Sequence, residues 1–447
     1  MLNFLGQRQQ FCDRIPRREF LQVGGLAMGG LSLPQILRAE SDSGIRNAHK
    51  AVIMIYLPGG PPHQDMFDLK PDAPDNIRGE FQPISTNLPG VQISEHMPRL
   101  AQMMHKVVPI RTVVGFDGSH SSFQCITGRN FGNQPQGGWP GIGSIVSKLQ
   151  GPIDRSVPAD VNLFMKMEHK PYNHPGSGFL GSAYHAFQPD GEVMSNMVLS
   201  GISVDRLDDR KKLLSGLNGF RRQVDSAAAS QALDPFTEQA LGVLTSSKLV
   251  DALNLDKEDP KVRDSYGQDD PKALPYGHAG YQCIMSKFLL ARRVIEAGAR
   301  VVTVTFADFD WHGSNFIFGR KVLPLLDQGV AALINDLEQR GMIDDVTVVV
   351  WGEFGRTPKI NASAGRDHWP QVACALLAGG GMKTGQVIGT TNKYAEEPID
   401  RPVHLQEVFA TIYHNMGIDL ATATITDLNG RPRYLVDDGH HALPELV

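Results

Sequence analysis

Asp308, Asp310 and His312 crowd into five residues just past a β-branched run at 300–306 (RVVTVTF), and Glu353, Asp367 and His368 follow a second run at 346–351 (VTVVVW). Carboxylates mixed with imidazoles suit a borderline divalent ion such as zinc or manganese, whereas calcium and magnesium prefer oxygens alone. The set could hold one or two ions, with zinc, manganese, calcium and magnesium all open. Asp65 stands on another loop, in HQDMFDLKP from His63, and could complete the ligands. Each cluster also has a plainer reading. Asp308 could be a solvated loop residue beside Asp310 and His312, and Asp367 next to His368 could be a structural hydrogen bond.

Other reactive groups stand near these. Arg356, three residues past Glu353, offers a planar fork of donors that matches sulfate, phosphate or carboxylate. A buried Glu353–Arg356 pair holding the loop is the alternative. His120 precedes Ser121 and Ser122 at the start of a helix-like run, 121–126 (SSFQCI), stopped by Gly128. A hydroxyl there could be a nucleophile activated by a metal or by His120, the helix dipole stabilising its oxyanion. Either serine could equally be a simple helix cap.

A sheet must position these groups. The runs at 51–57 (AVIMIYL), 107–114 (VVPIRTVV), 300–306, 346–351 and 373–378 (ACALLA) have the near-continuous apolar pattern of strands covered on both faces. Helical periodicity intervenes at 281–297, closed by Gly298, and recurs at 322–337 and 404–416. This alternation predicts an α/β fold, a doubly wound and mainly parallel sheet with helices on both faces. Open sheets of that kind carry their sites at the carboxyl ends of strands, where the clusters fall. Residues 45–447 are expected to form a single domain with a loop or cap insertion at about 150–255. Its first part is rich in Gly, Pro, His and aromatics, and 205–255 is polar and helical in character.

With 447 residues, 41% apolar and 20% charged, the chain can bury a sizeable core. A net charge of -5 with no long basic run outside the N-terminus argues against nucleic acid and against an anionic membrane surface. Arg17-Arg18-Glu19-Phe20-Leu21, followed by a glycine-rich apolar stretch to Ala39, is a twin-arginine pattern. Residues 1–39 therefore read as an export signal, placing the protein in the periplasm or otherwise outside by that route. A membrane is expected as partner only if the signal stays uncleaved. Beyond it stand Cys125, Cys283 and Cys374, an odd number with no CxxC, so neither a disulfide framework nor a zinc-thiolate site is expected.

Longer stretches go together: PGGPPHQDMFDLKP from Pro58, FLGSAYHAF from Phe179, LLARRVIEAGARVVTVTF from Leu289, DWHGSNF from Asp310, GEFGRTPKIN from Gly352, GRDHWP from Gly365 and AGGGMKTGQVIG from Ala378. On these the chain resembles the domain-of-unknown-function 1501 family, which is grouped with the alkaline phosphatase-like superfamily of sulfatases and phosphatases. The resemblance implies a one- or two-metal hydrolase of sulfate or phosphate esters, acting on a small anionic ester or a sulfated or phosphorylated polymer. Superfamily spacing (Asp-x-x-x-His) favours Asp308 with His312, while the family's own motif favours Asp310. Glu353 stands where an Asp-His pair would begin, with Phe354 in place of its His, and His368 fits the last His. The first strand ends in Leu57-Pro58-Gly59-Gly60 rather than in an Asp, so Asp65 would have to reach back, and no nucleophile motif surrounds Ser121. These departures support a second expectation, a non-catalytic binding or scaffold protein that keeps the fold.

Overall fold

Strand β1, Ala51–Tyr56, shows why a continuous apolar run predicts a covered sheet. Val52, Met54 and Tyr56 join one hydrophobic cluster while Ala51, Ile53 and Ile55 join another, because successive side chains leave opposite faces. The computed structural model describes residues 49–189, 247–270 and 283–447. The signal read at 1–39, and 190–246 of the expected insertion, lie outside the described residues. The sheet belongs to one compact unit, His49–Val447.

The other strands of the main sheet are β2 (Val107–Val114), β3 (Asp160–Leu163), β4 (Val301–Thr305), β5 (Val346–Trp351), β6 (Ala373–Gly379) and β7 (Val403–His404). Their order is β7-β2-β6-β5-β1-β4-β3. Neighbours β7 and β2, β5 and β1, β1 and β4, and β4 and β3 pair in parallel. Only β6 is reversed, antiparallel to both β2 and β5. Its connection explains this. Parallel neighbours need a crossover, usually helical, and residues 352–372 between β5 and β6 contain no helix, so the chain turns back.

Helices cover both faces, as expected. On the Val52 side lie α1 (Phe123–Thr127), α2 (Ile142–Gln150) and α5 (Leu405–Asn415), and on the Ile53 side α3 (Ser286–Ala297) and α4 (Asn315–Gln339). Two local readings change. The helix expected at 322–337 begins seven residues earlier, at Asn315, and runs through Pro324. The segment from 150, expected as loop, contributes β3 to the sheet edge. Four residues with Asp and Asn among them carry no strand pattern; pairing with β4 makes them a strand.

Asp160 opens β3 and is buried, with neither carboxyl oxygen hydrogen-bonded. A Cβ at Gly143, in the first turn of α2, would lie 2.1 Å from that carboxyl group, so only glycine fits there. Burial pushes the Asp160 pKa up to about 8. The unfolded chain releases this proton near the ordinary value of about 3.9, whereas the folded chain keeps it until about pH 8. Stability therefore falls as pH rises between those values. Asp160→Asn should remove this slope, leaving the variant more stable than wild type at pH 8 by a few kcal/mol, the gap closing toward pH 4. Urea titrations across that range check it; parallel pH profiles for the two proteins would contradict it.

Candidate metal centre

The site forms where four strand ends meet a tight glycine loop. After β1 the chain turns through Gly59 and Gly60, at φ +98° and +75°. A Cβ on Gly59 would sit 2.3 Å from the Asp310 backbone nitrogen, so the loop can lie against Asp310 only as glycine. Past β4, Ala307 adopts φ +55°, and Asp308 Oδ1 accepts the Asp310 backbone N–H at 2.9 Å. Past β5, Glu353 Oε1 accepts from Gly59 N at 2.8 Å and Oε2 from the Tyr56 hydroxyl at 3.0 Å. Residues Gly355–Arg356 then pair with His368–Trp369, with Arg356 opposite His368. His120 comes from the loop after β2.

These turns bring His120, Asp310, His312 and His368 together, one ligand atom from each lying within 4.8 Å of all the others. The Nε2 atoms of His120, His312 and His368 stand 3.2, 3.0 and 3.8 Å from Asp310 Oδ1, and those of His312 and His368 are 3.0 Å apart. Bonds of about 2.0 to 2.1 Å at a tetrahedral angle place ligand atoms about 3.3 Å from one another. These four separations, 3.0 to 3.8 Å, lie near that value.

The opposite edge of each imidazole explains the orientation. His312 Nδ1 lies 2.8 Å from Asp367 Oδ1, and His368 Nδ1 lies 3.1 Å from the Gly118 carbonyl oxygen. His120 Nδ1 lies 3.1 Å from Glu353 Oε1 and 2.6 Å from the Tyr172 hydroxyl. A carboxylate or carbonyl oxygen only accepts, so it keeps the proton on Nδ1 and turns a lone pair at Nε2 toward the centre. Lone pairs facing each other at 3.0 Å repel, and a proton between them satisfies only one pair. A divalent cation satisfies all of them, with an outer acceptor orienting each ligand.

Protons compete for the same atoms, and the pKa shifts show what they do there. Burial would raise the Asp310 pKa, but hydrogen bonds with the three histidines and the Arg356 charge hold it far below the carboxylate range. Burial would lower the His120 pKa, yet hydrogen bonds to Asp310 and Glu353 lift it to about 9. His312 is raised chiefly by its hydrogen bond to Asp310. Asp308, buried and with Oδ2 unpartnered, is pushed to about 7 by burial, with the Asp310 and Glu353 charges adding to the effect.

The other residues singled out in the sequence take different places. Asp65 is not among the clustered groups: its oxygens accept from Arg366 Nε at 2.8 Å, Arg366 Nη2 at 2.9 Å and Asn315 Nδ2 at 2.8 Å, which makes it half of a buried ion pair. Asp367 stands behind His312, and Glu353 behind His120, as orienting acceptors. Asp308 shapes the turn that presents Asp310. Arg356, expected to bind an anion, is buried and committed to protein acceptors: the Gly60 carbonyl at 3.0 Å, the Arg366 carbonyl at 2.9 Å, the Gly59 carbonyl, and Asp310 Oδ1 at 2.6 Å. That last bond occupies one lone pair of Oδ1 and leaves another for the centre. Ser121 Oγ accepts from Phe123 N at 3.1 Å, a local turn bond, while Ser122, at the N-cap position, makes no capping bond and its Oγ donates to the Asn173 carbonyl at 2.7 Å. Both hydroxyl oxygens are thus engaged with backbone groups. The helix they open, α1, has only five residues.

Sequence reading missed Tyr56 and Tyr172. Tyr56 had a signal, a hydroxyl at the carboxyl end of an apolar strand. Tyr172 had none, because it reaches His120 from a segment whose position depends on tertiary contacts such as Ser122 to Asn173.

Residues 49–447 match the family described as protein of unknown function, DUF1501. No curated protein matches the chain. Among solved structures, the C-terminal periplasmic domain of EcEptC from Escherichia coli is 10% identical, with a TM-score of 0.38, over 89% of this chain and 88% of that one. The PsFucS1 sulfatase from Pseudoalteromonas sp. is 11% identical with a TM-score of 0.34, over 90% and 72%. The phosphonate monoester hydrolase SpPMH from Silicibacter pomeroyi is 12% identical with a TM-score of 0.31, over 83% and 74%. Likeness at this level bears on neither substrate nor residue roles, which rest on the geometry of the chain itself.

Proposed function

The chain belongs to the DUF1501 family, and from its site we propose an exported metal-dependent hydrolase of sulfate or phosphate esters. One observation carries the reading: three imidazoles, each with Nδ1 held by an acceptor, turn Nε2 toward the same oxygen of Asp310. Three nitrogens and one carboxylate favour zinc or manganese over calcium or magnesium. A single such cluster occurs among the described residues, which favours one ion over two. When bound, the ion would polarise the ester and lower the pKa of an attacking water.

The protein's part is positioning. Asp367 holds the His312 Nδ1 proton, the Gly118 carbonyl holds that of His368, and Glu353, fixed by Tyr56 and Gly59, holds that of His120. Arg356 ties Asp310 to the glycine loop. The side chains of His312 and His368 are 42% and 29% exposed, against 1% for Asp310, so an ester approaches from the side of those two histidines. A small anionic ester or a sulfated or phosphorylated polymer fits an open site of this kind. The twin-arginine pattern supports export to the periplasm, and no described helix is long and apolar enough to cross a membrane.

The second reading is a metal-holding protein without turnover, favoured because Ser122 and Arg356 are both committed to protein partners. Turnover of 4-nitrophenyl sulfate and 4-nitrophenyl phosphate separates the two. Hydrolysis of either, abolished by chelation and restored by zinc or manganese, is expected; stoichiometric metal with turnover of neither would favour the second.

A further inference from the structure

A cavity of about 530 Å³ lies far from the metal centre, where the helix Pro98–Gln102 and the turn Met104–Lys106 face the helix Pro260–Ser265 and the last turns of α4. Its size is that of a small-ligand site. At its opposite end α4 begins with Asn315, which holds Asp65 behind the metal centre. Twenty residues of helix, at about 1.5 Å each, put the two places about 30 Å apart.

Met103 and Ala331, both buried in the core, supply an apolar surface to the cavity, and half-buried Val262 extends it. Exposed Arg99 and Lys261 line it from facing elements. Neither the Arg99 guanidinium nor the Lys261 ammonium has an ion-pair partner among the described residues. Their backbone N–H groups bond Asp327 and Asp259, and the Arg99 charge also acts on Asp327, pulling against the burial that raises its pKa. Lys106 is paired with Glu338 at 2.5 Å. Asp336, the only acid in the lining, is saturated by Arg292 at 2.7 Å, Arg340 at 2.8 Å and the Tyr266 hydroxyl at 2.8 Å. The cavity thus has surplus cationic donors and no available carboxylate. Its wall is fixed as well, since Glu258 at the start of that wall binds Arg292, Arg293 and Arg340.

We propose that this cavity is a second binding site, for a small oxyanion ester with an apolar or ring-shaped body, gripped by Arg99 and Lys261 over the Met103–Ala331 surface. A planar guanidinium matches two oxygens of a sulfate or phosphate, the ammonium a third, and the apolar surface takes the ring. The site needs no metal, so it stands apart from the hydrolytic reading.

Phenylphosphonate, which has no ester bond to hydrolyse, tests it by calorimetry on the full chain. His312→Ala protein should still bind it, and binding should weaken at least tenfold in Arg99→Gln and in Lys261→Gln, and weaken with added salt. Neutral phenol should not compete. If His312→Ala protein binds no phenylphosphonate, or if the Arg99→Gln, Lys261→Gln double variant in that background binds it unchanged, the proposal is overturned. Failure of the metal centre would show separately, as wild-type protein that contains no metal.

Discussion

His312→Ala and His368→Ala should each leave the protein folded and without stoichiometric divalent metal. Both Nε2 atoms face the centre, and both side chains are partly exposed, so truncation removes a ligand without opening the core. Elemental analysis after dialysis reads the loss, with far-ultraviolet circular dichroism confirming the fold. Glu353→Gln supplies the contrast. If Glu353 only orients His120, that variant should still take up one ion, with affinity reduced about 10- to 100-fold, the usual effect of removing an outer-shell acceptor. Complete loss in Glu353→Gln with retention in His312→Ala would reverse the assignment of inner and outer partners.

Asp65→Ala should cost about 3 to 5 kcal/mol of stability while leaving the metal content unchanged. Asp65 and Arg366 are 1% and 0% exposed, and removing the carboxylate strands a guanidinium in the interior. The remaining acceptors of Arg366, the carbonyls of Ile77, Thr357 and Pro358, cannot neutralise its charge. Urea denaturation measures the effect. Wild-type stability with lost metal would restore Asp65 to the ligand set and remove it from this structural pair.

His312 and His368 were singled out because both follow apolar strands whose carboxyl ends converge in an open sheet, and the structure brings their Nε2 atoms to 3.0 Å. Between Asp308 and Asp310 the sequence could not choose; in the structure Asp308 Oδ1 accepts the Asp310 backbone N–H, and Asp310 is the carboxylate that lies among the histidines. Asp65 and Arg356 were misplaced for one shared reason. A loop carboxylate or guanidinium looks the same in sequence whether its partner is a substrate, a metal or a charge elsewhere in the chain, and their partners are Arg366 and Asp310. Glu353 fell between: its strand end placed it at the site, but only the hydrogen bonds from Tyr56 and Gly59 make it an orienting group. The sheet followed from apolar runs, except where direction or existence depends on what lies between strands. The reversal of β6 comes from a helix-free connection, and β3 exists because β4 offers an edge.

X-ray absorption at the metal edge of the wild-type protein, loaded with zinc or manganese, tests the metal centre most directly. One ion per chain is expected, with three imidazole nitrogens and one carboxylate oxygen among its nearest neighbours, the set formed by His120, His312, His368 and Asp310. An all-oxygen shell, or protein that retains no stoichiometric metal after loading and dialysis, would contradict it.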